Sequence, residues 1–311
     1  MQFDCALFDI DGVLVDIRRS YNEAIKETVD FVLAAKSGTK MRRLVTDRLI
    51  LKFRQSGGFN NDTDTSYAIA LAMLASRQQK NAASARRFLF EVAENADETG
   101  IESVERFLSG YDISKTREML AYPAPVKDSY IGRVFDELFY GPALFKKQNG
   151  IAPKYCKDAR PLIDNDKLVV STKTMKTLHK KFGGNLAIVS GRSRLAAEYS
   201  LKQVIKYFDI DACVFLEDEK REHAKPNPYA AKKAMKTMGA KNAVYCGDSA
   251  EDMLMARRAQ EETGLPIAFV GIYGFSPEQA KTLKLFKERD AEAVAKSVDL
   301  LPKILYKVQA G

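Results

Sequence analysis

Carboxylates, a hydroxyl and an amine recur in four short segments of this chain, and together they could move a phosphoryl group through a carboxylate. The segments are Asp9-Ile10-Asp11-Gly12, Ser190-Gly191-Arg192, Lys225-Pro226-Asn227-Pro228, and Gly247-Asp248-Ser249 with Asp252. Phosphoryl transfer asks a protein mainly for positioning and charge neutralisation, because the moving group carries dispersed negative charge. Asp9 is an anion that a phosphate dianion would repel, so a cation must screen the two. Mg2+ is the natural choice, held by a few carboxylates with waters retained, and Asp9 and Asp248 can supply hard oxygen ligands. Lys225 brings a point positive charge to the phosphoryl group, and Ser190 a hydrogen bond without charge. Asp11 stands two residues after Asp9, a spacing that puts both side chains on one face of an extended segment. Close carboxylates raise one another's pKa, so one can stay protonated near neutrality and serve first as acid, then as base.

Such groups need elements that bring them to a common edge. Each segment follows, or lies just beyond, a short apolar run that reads as a buried strand: Phe3–Phe8, Leu186–Val189, Cys213–Leu216 and Ala243–Cys246. Helical patterns alternate with them at Lys173–Phe182, Arg194–Tyr207, Tyr229–Met238 and Glu251–Glu262. A fifth strand, Ile267–Val270, precedes helices near Pro277–Lys287 and Ala291–Tyr306. The alternation predicts an α/β fold, a doubly wound parallel sheet with its ligand crevice beyond the carboxyl ends of the strands. Taken singly, each segment has a plain structural reading. Asp-x-Asp suits a turn, Gly-Asp-Ser a helix N-cap, and Lys-Pro-Asn-Pro a loop with a helix start. Their joint arrival at successive strand ends favours chemistry.

Residues 17–153 break the alternation. Apolar residues recur at three and four in Tyr21–Val32, Met41–Phe53, Tyr67–Leu74, Phe88–Ala93 and Tyr130–Phe139, with cap signals at Ser20, Asp62 or Asp64, and Ser84. This predicts an inserted all-helical domain over 17–153, leaving 1–16 and 154–311 as the α/β core. Within the insertion, Gly57-Gly58-Phe59-Asn60-Asn61-Asp62 interrupts two helical patterns. It reads either as an interhelical turn capped by Asp62 or as a specificity loop. In the second reading Gly58, Asn60 and Asn61 contact substrate, and Phe59 and Asn61 set the substrate profile. Gly191 and Arg192, beside Ser190, are further substrate-binding candidates. Arg192 could meet a second anionic group or sit as a surface arginine at a helix start.

The order and spelling of the four segments, with Val13-Leu14-Val15-Asp16 extending the first, resemble the haloacid dehalogenase-like (HAD) superfamily of aspartate-nucleophile phosphohydrolases. The resemblance covers the first residues and the second half of the chain. It implies a Rossmann-like core, with Asp9 as nucleophile and Asp11 as general acid and base. Ser190 and Lys225 would hold the phosphoryl group, and Asp248 would bind Mg2+ with Asp252 behind it. The main-chain carbonyl of Asp11 would be a further metal ligand. It also implies subfamily I, with a helical C1-type cap closing over the site. The expected enzyme is a Mg2+-dependent phosphomonoesterase acting through an aspartyl-phosphate on a small phosphorylated metabolite. Histidinol phosphate, phosphoglycolate and sugar phosphates are candidates. A phosphomutase shares all four motifs and stays as the alternative, with a non-catalytic metabolite-binding protein behind it. A dehalogenase has little use for Asp11 or Asp248, and a phosphonate hydrolase is expected to carry a non-acidic residue at position 11.

Composition narrows the partners. The chain has 311 residues, 46% of them hydrophobic, and a net charge of +8, which fits an ordinary globular protein. Basic residues are mixed with acidic ones, with no tail and no aromatic-interleaved stripe, so nucleic acid is not an expected partner. No stretch approaches a membrane span, and Met1–Phe8 lacks a signal-peptide pattern. Cys5, Cys156, Cys213 and Cys246 are scattered without metal-ligand spacing and read as reduced core residues of a cytoplasmic protein.

Overall fold

Runs such as Cys5-Ala6-Leu7-Phe8 are apolar without alternation, the pattern of strands covered on both faces. In the computed structural model, which describes residues 3–37, 44–59, 61–76 and 81–308, they become central strands. The strands are β1 (Cys5–Phe8), β2 (Val15–Asp16), β3 (Lys167–Leu168), β4 (Leu186–Ser190), β5 (Val214–Phe215), β6 (Ala243–Gly247), β7 (Ile267–Ile272) and β8 (Ala293–Ala295). Six form one parallel sheet in the order β5-β4-β1-β6-β7-β8, while β2 and β3 pair antiparallel beside it. Every residue of β1, β4 and β6 is buried. The chain runs outward on one side of β1 through β4 and β5, then returns to the other side at β6. Such a reversal opens a crevice at the carboxyl ends of the strands. Phe8 stands opposite both Ile188 and Cys246, so β4, β1 and β6 end together there.

By its contacts the chain divides into two compact units, Met1–Ile17 with Asp166–Gly311, and Arg18–Asn165. The second is helical: α1 (Tyr21–Ser37), α2 (Asp47–Gln55), α3 (Asp62–Ser76), α4 (Ala82–Glu94), α5 (Ile101–Phe107), α6 (Ser114–Leu120) and α7 (Tyr130–Asn149). Helix α1 packs against α3 and α7, with the Tyr21 ring stacked 4.2 Å from that of Phe139. Cap signals fall upstream of two expected positions. Asn61 Oδ1 accepts from the Thr63 N–H at the start of α3. Asn81 caps α4, with Ser84 as its reciprocal partner in a capping box. Residues 41–43, at the start of the expected second helix, lie outside the described residues, and α2 begins behind a Thr46 cap. Segment 154–156 belongs to this unit for a local reason. The buried Glu137 carboxylate of α7 accepts from the N–H groups of Lys154, Tyr155 and Cys156 and from Arg133 Nε. Burial works against that charge, but these donors hold its pKa below the usual glutamate value.

The first unit carries α8 (Thr172–Lys181), α9 (Arg194–Ser200), α10 (Tyr229–Thr237), α11 (Ala250–Thr263), α12 (Gln279–Glu288) and α13 (Leu301–Val308) flanking the sheet. One expectation is corrected here. The helix read over Ala291–Tyr306 instead opens with β8, where Ala293 pairs with Val270, and becomes α-helical only at Leu301, after a 3-10 turn over Val298–Leu300. Strand neighbours, not local propensity, decide such a segment. All four cysteines are free thiols, and burial pushes Cys5 and Cys213 up to about 12. No helix among the described residues is long and apolar enough to cross a membrane.

Candidate active site

Asp9 is the first residue past β1, and its N–H donates to the Cys246 carbonyl at 3.0 Å, carrying the ladder to the strand end. Its side chain is therefore delivered to the crevice, yet it is only 7% exposed. Burial raises its pKa from 3.8 to about 7; Lys225 pulls it back, while Asp252 and Asp11 push it further up. Lys225, in the loop before α10, places Nζ 3.0 Å from Asp9 Oδ1 and 2.7 Å from Asp252 Oδ1. Burial opposes its charge, but Asp252 and Asp9 outweigh that and hold its pKa well above the usual lysine value.

Asp252 organises the β6 side of the site. Oδ1 accepts from Lys225 Nζ and from the Tyr245 hydroxyl at 3.0 Å. Oδ2 accepts from the Ser249 hydroxyl at 2.7 Å and from the Asp248 and Ser249 N–H groups at 3.2 Å. Ser249 is the N-cap of α11, so one carboxylate both closes a capping box and anchors the lysine. A Cβ on Gly247 would lie 2.4 Å from that of Asp252, so this approach needs glycine. Tyr245 was not singled out by sequence reasoning. Its position three before Asp248 on a strand otherwise filled with small apolar residues was the available signal.

Gly12 turns the chain at φ 71°, and a Cβ there would sit 2.0 Å from Asp248 Oδ2. Glycine thus serves both the left-handed turn and the close approach of a carboxylate to the backbone. Burial raises the Asp248 pKa well above its ordinary value, and Asp252 and Asp9 add to it. Oxygens of Asp9, Asp248 and Asp252 lie within 4.8 Å of one another. The oxygens of Asp252 already accept from Lys225, Tyr245 and Ser249, so Asp9 and Asp248 are the side chains suited to a metal. Carboxylates outnumber cations at this edge. Asp9, Asp11, Asp248 and Asp252 share it with Lys225 and Arg192, and Arg192 also serves Asp166. An excess of carboxylates offering hard oxygen donors fits a divalent cation such as Mg2+.

Ser190 ends β4, is fully buried, and its Oγ accepts from the Arg192 N–H at 3.4 Å. Gly191 is exposed on the following turn. Arg192 departs from both readings made of it. It is neither a surface arginine nor a group facing outward to a second anion. Its guanidinium is fully buried, with Nε 2.7 Å from Asp11 Oδ1 and Nη1 2.6 Å from Asp166 Oδ2. Asp166 was missed because nothing in its local sequence marks it. His223 stacks on Tyr229 with ring centroids 3.8 Å apart.

In the helical unit, packing and capping engage Gly58, Phe59, Asn61 and Asp62 of the segment after α2. A Cβ on Gly58 would lie 2.3 Å from the Asp97 carbonyl oxygen and 2.4 Å from the Gly100 nitrogen, so two backbones meet there. Phe59 is fully buried, edge-on to Phe53 at 4.9 Å. Asn61 caps α3, and Asp62 accepts from Arg54 at 2.7 Å. Asn60 lies outside the described residues. Phe59→Ala is therefore expected to lower stability by about 3–5 kcal/mol, as a large buried ring lost from a core does. Denaturant unfolding would measure it. Near wild-type stability with an altered substrate preference would return Phe59 to a specificity role.

Comparison with known proteins bears on the whole arrangement. The family model of the haloacid dehalogenase-like hydrolases matches residues 3–260. Pyrophosphatase PpaX of Halalkalibacterium halodurans is 38% identical over 96 residues, 30% of this chain and 42% of the relative. The match thus spans less than half the length of that curated relative. Among solved structures, the Northeast Structural Genomics Consortium target ZR25 aligns over 99% of both chains with a TM-score of 0.67 and 15% identity. Phosphatase Tt82 from Thermococcus thioreducens aligns over 86% of this chain and 92% of its own, with a TM-score of 0.59 and 23% identity. At these identities the structural likeness is one of fold.

Proposed function

We propose that this chain, which belongs to the haloacid dehalogenase-like hydrolase family, is a Mg2+-dependent phosphomonoesterase working through an aspartyl-phosphate on Asp9. The observation that carries the reading is a nearly buried carboxylate at the end of β1, 3.0 Å from a buried lysine, with Asp248 laid over the Gly12 turn. A carboxylate so placed is desolvated, aimed and flanked by the cation that a phosphoryl group needs.

An Asp9 oxygen forms a bond to phosphorus as the bond from phosphorus to the leaving oxygen breaks. That oxygen departs with a proton from Asp11. Water then adds to phosphorus, giving its proton to Asp11, and the bond from Asp9 to phosphorus breaks to release inorganic phosphate. Lys225 and Ser190 hold the non-bridging oxygens through both steps. Asp9 and Asp248, with the Asp11 carbonyl, would hold the metal, which when bound offsets the repulsion between Asp9 and the phosphate. Asp252, braced by Tyr245 and Ser249, keeps Lys225 in place. The helical unit, inserted between β2 and β3, serves in this reading as a C1-type cap that selects the substrate.

A phosphate-release screen over phosphorylated metabolites tests the proposal. Histidinol phosphate, phosphoglycolate and sugar phosphates belong in the panel, and the name of PpaX adds inorganic pyrophosphate. Isomer formation without free phosphate would favour a mutase, and tight binding without turnover a binding protein. Chelation is expected to cut activity at least ~100-fold, the scale of losing a main charge stabiliser, with Mg2+ restoring it. Ca2+ should restore little, since it takes more ligands at longer distances. Full activity after exhaustive chelation would remove the metal from the mechanism.

A further inference from the structure

Arg192 is the largest fully buried side chain among the described residues. Taking a guanidinium out of water is costly, so its partners show what it holds. Nε donates to Asp11 Oδ1 at 2.7 Å, and Nη1 donates to Asp166 Oδ2 at 2.6 Å and to Ser200 Oγ at 2.8 Å. The Ser200 hydroxyl in turn donates to Asp166 Oδ2 at 2.6 Å, which closes a ring of contacts around Nη1. The Asp166 side chain is 4% exposed, while that of Asp11 is 29% exposed, so one anchors and the other faces the crevice. The Asp11 backbone is set separately, by the turn in which the Gly12 N–H donates to the Val15 carbonyl at 2.9 Å. Val15 begins β2, and β3, which pairs with it, begins one residue after Asp166. Arg192 thus spans the two ends of one small ladder.

We infer that Arg192 is a positioning residue for Asp11: anchored on Asp166 and Ser200, it fixes the direction of the Asp11 carboxylate toward the oxygen that leaves. The assignment to the leaving oxygen rests on the phosphatase reading above; the fixed direction does not. A substrate anion cannot take Arg192 for itself without parting a buried guanidinium from the buried Asp166 carboxylate. An arginine suits the task because its planar fork holds two carboxylates at set angles, which an ammonium cannot do. An ordinary buried ion pair would support the fold without favouring one class of substrate. A positioning residue for an acid acts where the leaving oxygen needs its proton.

The test compares wild type, Arg192→Met, Arg192→Met with Asp166→Asn, and Asp11→Asn on p-nitrophenyl phosphate and on glycerol 2-phosphate. The double variant removes the buried Asp166 charge that has lost its arginine and covers the case in which Arg192→Met folds poorly. Arg192→Met is expected to lose kcat/KM on the alkyl ester at least about tenfold more than on the aryl ester, in the same direction as Asp11→Asn. Equal losses on the two esters in a folded variant would overturn the inference. A crystal structure of either Arg192 variant reads the positioning directly, and Asp11 is expected in a different rotamer. An unchanged Asp11 side chain overturns the inference whether or not the wild type is active. Wild type that releases no phosphate from any ester overturns the phosphatase reading instead, and the Asp11 rotamer still decides the role of Arg192.

Discussion

Asp9→Asn is expected to lower phosphate release by at least about 10^4-fold while the protein melts at or above the wild-type temperature in metal-free buffer. The loss follows from chemistry. An amide is a poor nucleophile and a poor metal ligand, and removing a covalent nucleophile leaves only the residual effect of binding and charge. The stability follows from the sign of the Asp9 shift. Its folded pKa, about 7, stands above the ordinary value of 3.8. Between those values the folded chain binds more protons than the unfolded one, so this group lowers stability as pH rises through that window. Well above pH 7 its buried charge is present, with Asp252 and Asp11 adding repulsion. Asparagine keeps the shape and removes the charge, and Lys225 retains Asp252 as partner. Colorimetric phosphate release with thermal melts at pH 8 would check both halves. Turnover within tenfold of wild type would take Asp9 out of the mechanism, and a sharply lowered melting point would show that its charge supports the fold.

Lys225→Met is expected to damage both properties. Nζ is the cation between Asp9 Oδ1 and Asp252 Oδ1, and its loss leaves two buried carboxylates without it. Breaking a buried pair by removing one partner costs about 3–5 kcal/mol. The phosphoryl group also loses its fixed positive charge, worth roughly 10²–10³ in turnover by analogy with a deleted oxyanion donor. Adding Asp252→Asn separates the effects. The double variant should regain part of the stability, because one stranded carboxylate is neutralised, and none of the turnover. Denaturant midpoints with kcat for each variant make the comparison. Recovery of turnover in the double variant would mean that Lys225 acts only by balancing Asp252.

The placement of the four candidate segments at strand ends and in the loops beyond them was legible in the chain because each follows, or lies just beyond, an apolar run. Asp9 needs only β1 in front of it, and Asp248 only β6 and the Ser249 cap behind. The helices between β2 and β3 were legible too, since helical period is a local property. Contacts across the sheet were not. Arg192 reads locally as an arginine at a helix start, yet it lies 181 residues from Asp11 and pairs with it. Gly58 reads as a loop glycine until the Asp97–Gly100 backbone is placed against it.

The sequence by itself determined which chemistry the protein can attempt and at which strand ends. Reactive side-chain types and buried parallel strands are both written in short range, and the fold has few ways to join them. Only the tertiary structure decided how the charges are shared. It gave Lys225 to Asp9 and Asp252 together, braced Asp252 with Tyr245, and turned Arg192 inward to Asp11 and Asp166. The reason is electrostatic. A buried charge takes as partner whichever opposite charge the packing brings within reach, and that distance has no counterpart along the chain.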